Sequence, residues 1–262
     1  MKLRDHIRDN LHLSFPIMIS QLGHITVGVV DSLMIGNISV TQLAAVSLSS
    51  SIFGFILLFC IGLSYGITPL ISSKKSDESY ISNIFYNGMY LNLFFTIVLV
   101  LITVYLKFFL KYFIQDQEVL SFTYRYLDII CISLIPLMLF QTFKQFIEGL
   151  GYTKPPMYIS IFSNIINIVL NAILIFGLFG FPKLEIIGAA YATLISRVLM
   201  FLFILVYCLN SRKFNSIILS LNTSINYHSL RSIFGIGFTS GLQYIFEVGA
   251  FSVATIIIGS MG

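Results

Sequence analysis

Seven apolar runs, each about as long as a bilayer is thick, leave this chain little freedom in how it can fold. They cover residues 13–36, 47–71, 84–106, 122–147, 157–179, 186–209 and 233–259. A helix rises 1.5 Å per residue, so roughly 20 residues cross a ~30 Å hydrocarbon core. No stretch alternates with period two, as the strands of a membrane barrel must. The expected class is an all-α polytopic membrane protein. Charged residues make up 10% of the chain and hydrophobic ones 57%, against about 25% charged in soluble domains. The net charge of +4 is too small and scattered for a nucleic-acid partner, so the partner surface is the lipid bilayer. Cys60, Cys131 and Cys208 lie inside apolar runs without ligand spacing, which implies neither disulfide nor metal.

Lysine and arginine set the orientation. With the N-terminus inside, the inner side holds Lys2, Arg4, Arg8, Lys74, Lys75, Lys144, Lys154, Arg212, Lys213 and Arg231. The outer side holds Lys107, Lys111, Arg125 and Lys183. MKLRDHIRDN then reads as a charged cytoplasmic lead-in, with no cleavable signal peptide. Residues 1–209 form one six-helix unit. Residues 210–232 are polar enough to be a linker lying on the cytoplasmic face. Residues 233–262 hold the first helix of a second unit. A shift of 223 residues lays Phe15 on Phe238, His24 on Glu247, Val30 on Val253, Ile35 on Ile258 and Gly36 on Gly259. Two parallel halves about an axis along the membrane normal show such a repeat. The expectation is a chain that stops as its second half begins.

Several polar residues lie where lipid favours none. A carboxylate in a spanning helix is by default a functional-site hypothesis. Asp31 lies roughly 7–8 Å from the outer end of the first span. On the fifth span Asn167 and Asn171 are four apart and share a face; Asn171 is ~12 Å from the outer end, and Thr193 on the sixth span is ~10 Å deep. The four side chains can meet in the outer half of the membrane. They offer oxygen ligands for Na⁺ or a pocket for a titrating carboxyl group. The bland alternatives are a solvated Asp31 at the interface, asparagines as interhelical glue, and a threonine bonding its own helix.

Gln21 and His24 sit mid-helix, where a packed, hydrogen-bonded role competes with function. Glu247, fourteen residues into the seventh run, reads as functional. Arg197 either pairs with an acid or is displaced by the boundaries drawn here. Pro136 should kink the fourth span, and Pro69 lies near the end of the second. Pro16 is either a bend point or an early-helix proline whose missing donor costs little.

VDSLMIG, TQLAAVSLSSSIF, GLSYGITPLIS, QFIEGLGYTKPPM, NIVLNAILIFGLFGFPKLEIIGAAYAT and GLQYIFEVGAFS, in that order and spacing, resemble the multidrug and toxic compound extrusion (MATE) family. The likeness is greatest to its NorM-type branch, which has an asparagine pair on the fifth helix. The resemblance implies the N-terminal six-helix lobe of a twelve-helix fold, plus the first helix of the second lobe. It implies a bacterial inner-membrane antiporter, monomeric when full-length, exporting small organic cations in exchange for Na⁺ or H⁺ with no other cofactor. It carries the ion site onto Asp31, Asn167, Asn171 and Thr193, which would be metal ligands only under Na⁺ coupling. It carries the acid of the central cavity onto Glu247, beside which Gln21 is placed, and the bend onto Pro16. A lipid or lipid-linked oligosaccharide flippase of the same superfamily ranks lower, because the interior offers Arg197 and little other positive charge. An enzyme is not expected: no HExxH occurs, and the GxSxG match GLSYG (62–66) lies within an apolar run rather than on a strand-to-helix turn.

Overall fold

The computed structural model describes residues 3–219 and 223–260; the side chains of residues 3–10, 12, 13, 24 and 251–260 lie outside the description. The His24 reading therefore cannot be followed to its side chain, and neither can the repeat's pairings at Val253 and Ile258. The helices are α1 (Leu3–Gly36), α2 (Val40–Ser64), α3 (Ile67–Ser73), α4 (Glu78–Leu106), α5 (Gln117–Ile132), α6 (Leu134–Gly149), α7 (Lys154–Phe176), α8 (Glu185–Asn210), α9 (Arg212–Leu219) and α10 (Tyr227–Ser260). Among the described residues six stretches are long and apolar enough to cross a membrane: Ser14–Gly36, Val40–Ser73, Glu78–Tyr112, Gln117–Gly149, Lys154–Phe176 and Glu185–Asn210. The seventh run lies within α10. Most helices outrun the apolar runs, because the backbone ladder continues through flanking polar residues to a cap. Asp77 accepts from the Tyr80 amide at 2.9 Å, and Asp116 from that of Glu118 at 2.8 Å.

Two spans break, each at a proline. Pro69 and Pro136 are the third residues of α3 and α6. Each ring excludes the carbonyl four residues back, at Tyr65 and Ile132, where α2 and α5 end. The kink expected at Pro136 is thus a break at Ser133. Pro16 behaves differently. The helix starts at Leu3, so Pro16 is buried in the interior of a continuous α1, and the early-helix reading does not hold.

α7 and α8 form a close hairpin. Gly177 closes α7 in the left-handed conformation, φ 71°, where a side chain would be strained. A Cβ on Gly188 would lie 2.6 Å from the Leu174 carbonyl oxygen. Only glycine lets the two backbones approach there, and this brings Asn171 level with Thr193. A second glycine contact joins α2 to α10. A Cβ on Gly62 would lie 2.4 Å from Gly241 Cα, one on Gly66 2.2 Å from the Ile233 carbonyl oxygen, and one on Gly237 2.2 Å from that of Leu63. Glycines four apart, Gly62 on α2 with Gly66 just beyond its end and Gly237 with Gly241 on α10, let the backbones touch.

The linker is more structured than its polarity suggests. α9 buries Phe214, Ile217 and Ile218. Beyond it, two asparagines of α4 hold the chain. Asn83 and Asn87 each donate to the Ser224 carbonyl at 3.1 Å, and Asn87 Oδ1 accepts from the Asn226 amide at 2.9 Å. Asn226 caps α10 in turn, accepting from the His228 amide at 2.9 Å. Asn87→Leu strips the Asn226 amide of its acceptor, a loss of about 1–3 kcal/mol. Hydrogen exchange at that amide should therefore accelerate roughly tenfold or more.

Candidate functional site

Asp31 lies on the buried face of α1 with Ser20 and Ile35. Its carboxylate does not face lipid. Asn171 Nδ2 donates to Asp31 Oδ1 at 2.5 Å, and Thr193 Oγ1 donates to Oδ2 at 3.4 Å. Asn171 Nδ2 also lies 3.1 Å from Asn167 Oδ1. Asn167 Nδ2 in turn lies 3.4 Å from Thr193 Oγ1 and 3.4 Å from Ser196 Oγ. The four residues read from spacing and depth thus form one connected cluster, supplied by α1, α7 and α8. Thr193 turns its hydroxyl to the carboxylate rather than to its own helix.

One atom of the cluster is unspent. Asn171 is fully buried and its amide oxygen has no hydrogen-bond partner. A buried acceptor left unpaired is costly, unless it serves something that comes and goes. The cluster as a whole is rich in oxygen: the two Asp31 carboxylate oxygens, the Thr193 hydroxyl and the amide oxygens of Asn167 and Asn171. Hard cations prefer such ligands. Among the described residues no group of three or more His, Cys, Asp or Glu gathers. A single carboxylate with neutral oxygens suits a monovalent ion or a proton better than a divalent metal.

Beside the cluster is a cavity of about 140 Å³, lined among others by Asp31, Ser50, Phe53, Tyr126, Thr193 and Arg197. That is well above the ~15 Å³ that one water needs. Arg197 is therefore correctly placed inside a span and faces the acid's cavity. Its Nη1 donates to Ser133 Oγ at 2.6 Å, at the α5–α6 break, and its guanidinium lies over the Phe53 ring, 5.3 Å from the centroid.

A second buried polar group escaped sequence reading. Lys144 of α6 belongs by sequence with the charges of the inner side, yet it is 0% exposed. Its Nζ donates to Ser20 Oγ at 3.2 Å and lies 4.0 Å from Glu148, itself 5% exposed. Ser20 donates to Ser160 Oγ at 3.1 Å. Ser20 with Ser160 and Asp31 with Asn171 are both 140 positions apart. α1 and α7 therefore run parallel and are pinned twice, eleven residues or about 16 Å apart. The spacing of Lys144 and Glu148, i and i+4 among glutamines, was the available signal.

Gln21 and Glu247 stand outside both clusters. Gln21 donates to the Tyr65 hydroxyl, whose ring lies 5.8 Å from that of Tyr244 on α10. This is the packed, hydrogen-bonded role weighed for it. Glu247 is exposed, not buried in a core as its depth in the run suggested, because among the described residues no helix covers that face of α10. Aromatic residues line a cavity of about 460 Å³ that opens between α4 and α10 at Tyr90, Phe94, Phe95 and Phe234, apart from Asp31.

The family model MatE matches residues 16–173. The chain is 31% identical over 264 residues to the multidrug resistance protein NorM of Photobacterium profundum, covering 99% of this chain and 58% of that protein. It is 33% identical to the probable multidrug resistance protein NorM of Listeria monocytogenes serotype 4b, covering 94% of this chain and 55% of that protein. The chain thus spans about half the length of the curated relatives it matches. Its fold is that of a crystal structure of MATE in the bent conformation, with TM-score 0.82, 22% identity, and coverage of 96% of this chain and 55% of that one.

Proposed function

Because the chain belongs to the MATE family, a family of transporters and not of enzymes, and is a multi-pass membrane protein, we propose that it forms the ion-coupling lobe of an antiporter. The antiporter exports small organic cations in exchange for Na⁺ or H⁺. The observation that carries this reading is the Asp31 cluster: a buried carboxylate held by Asn171 and Thr193, with the Asn171 amide oxygen unpaired beside it. Asp31 binds the ion; Asn167 fixes the orientation of Asn171 and Thr193. Pro16, which leaves one carbonyl of α1 without its helical donor, is the point at which α1 bends. Glu247, on the open face of α10, meets the organic cation. The ion must favour one lobe conformation over the other for coupling to follow. The positive-inside bias supports a cytoplasmic N-terminus and a cytoplasmic segment 210–232, and the bacterial relatives support an inner-membrane location.

Asp31→Asn tests the reading in the full-length protein reconstituted in vesicles, with ethidium as the exported cation. The amide is nearly isosteric but carries no charge. Ethidium flux driven by a Na⁺ or proton gradient should fall at least tenfold, while passive ethidium binding persists. Gradient-driven flux at the wild-type rate removes Asp31 from the mechanism.

A further inference from the structure

Arg197 is a charged side chain that the coupling scheme above does not use. Among the described residues it joins no ion pair: the pairs found are Lys107 with Asp128, Lys144 with Glu148, and Lys183 with Glu185. A guanidinium stays protonated, and holding one inside a membrane protein calls for a counter-charge. Its hydrogen bond goes to the neutral Ser133 hydroxyl, and its face rests on the Phe53 ring. The carboxylate lining its cavity is that of Asp31. The geometry also fixes the arginine's place. Thr193 and Arg197 are one turn apart on α8, so they share a face, and Thr193 already touches Asp31. The break at Ser133 and the Phe53 ring hold the guanidinium across the cavity rather than on the carboxylate.

We propose that Arg197 is the resident counter-cation of the Asp31 site. The inference rests on the reading of Asp31 as the ion-binding carboxylate. When the coupling ion has left, the guanidinium balances the carboxylate across the cavity. An entering cation then meets a site of zero net charge, not one of −1, and binds more weakly. Arg197 thereby sets the affinity of the site and helps it to release its ion, without touching that ion. It is a positioning residue in the electrostatic sense. The titratable or charged groups facing the guanidinium are Asp31 from α1 and Tyr126 and Cys131 from α5. α2 contributes the neutral Ser50 and Phe53, and α8 itself Thr193. No other fixed charge in this set can take the arginine's place.

The test is the cation concentration for half-maximal ethidium flux in vesicles carrying the full-length protein. It is measured against Na⁺ at fixed pH and against protons without Na⁺. Arg197→Met should lower that concentration about tenfold or more for the ion that couples, since opposite charges inside a protein interact strongly even at an effective dielectric of ~20. Maximal flux should fall with it, because the ion is held too long. Arg197→Lys, which restores the charge, should return the concentration toward wild type; a packing role for the guanidinium would not respond in this way. A half-maximal concentration unchanged in Arg197→Met overturns the proposal. If Arg197→Met does not fold, Arg197→Gln is read in the same way. If neither neutral variant folds, the pair Asp31→Asn with Arg197→Met should recover folding, and its failure to do so overturns the proposal. Asp31→Asn separates the two levels. Ion dependence that survives Asp31→Asn sinks the underlying reading, whereas ion dependence lost there but unmoved in Arg197→Met sinks the counter-cation alone.

Discussion

Glu148→Gln is expected to destabilise the chain by about 3–5 kcal/mol, because it leaves a buried ammonium without its counter-charge. The carboxylate lies 4.0 Å from Lys144 Nζ, and the two side chains are 5% and 0% exposed. Neither can turn to solvent, and among the described residues the hydrogen bond Lys144 donates is to a neutral hydroxyl, that of Ser20. Lys144→Met is expected to cost a similar amount by stranding Glu148. The double variant Lys144→Met with Glu148→Gln should be more stable than either single one, because it removes both charges together. The free cysteines Cys60, Cys131 and Cys208 are all buried, so a thiol-reactive dye reports unfolding in detergent as each becomes accessible. Single variants that melt with the wild type would show that water reaches this pair. A second consequence separates this cluster from the Asp31 site. The inner pin of α1 on α7 depends on Ser20, which Lys144 orients. Loss of the lysine should therefore loosen α1 near Pro16 while the Asp31–Asn171 contact persists.

What could be read in the sequence, and what could not, follows from how each feature is encoded. The Asp31 cluster was legible because it combines two local rules. Helical spacing puts Asn167 and Asn171 on one face, and similar depth from the outer span ends puts Asp31 and Thr193 near Asn171. A disturbance of the fourth span at Pro136 was legible too, since proline acts on the carbonyl four residues back wherever the helix lies; the break at Pro69 was not, because that residue falls near the end of its apolar run. Lys144 was not. It falls in the last turn of its apolar run, where a charge count cannot distinguish a lysine in a loop from one turned inward between helices. Glu148 lies just past that run, where apolar patterning carries no information about it. Glu247 misled in the opposite direction: depth along a run gives position along the helix axis, not which face is covered. Arg197 stayed open because its cavity is made by α1, α2, α5 and α8 together, and no local pattern records that meeting. The glycines of GLSYG and GFTSG, Gly62, Gly66, Gly237 and Gly241, stood at the spacing that marks close helix pairs. Their meaning depended on the two segments facing each other, 175 residues apart.

Those glycines carry the other large effect. Gly237→Ala should destabilise the packing of α10 on α2 by about 3 kcal/mol, the upper end of ordinary overpacking. The added Cβ would lie 2.2 Å from the carbonyl oxygen of Leu63 and 3.0 Å from its Cα. Both are backbone atoms, so no rotamer change relieves the clash and one helix must move. Gly235→Ala is the matched control on the same helix. Nothing lies within 4 Å of the Cβ it would add, and replacing an unstrained helical glycine reduces the freedom of the unfolded chain. It should stabilise by about 0.4–1 kcal/mol. The two substitutions add the same methyl group two residues apart and are expected to have opposite signs. Helix propensity alone would give both the same sign. Thermal unfolding followed by cysteine accessibility decides between these outcomes. If Gly237→Ala melts at or above the wild type, α10 does not pack on α2 through backbone contact. If it melts lower while Gly235→Ala melts higher, the first helix beyond the linker is held to the six-helix lobe by the absence of four side chains.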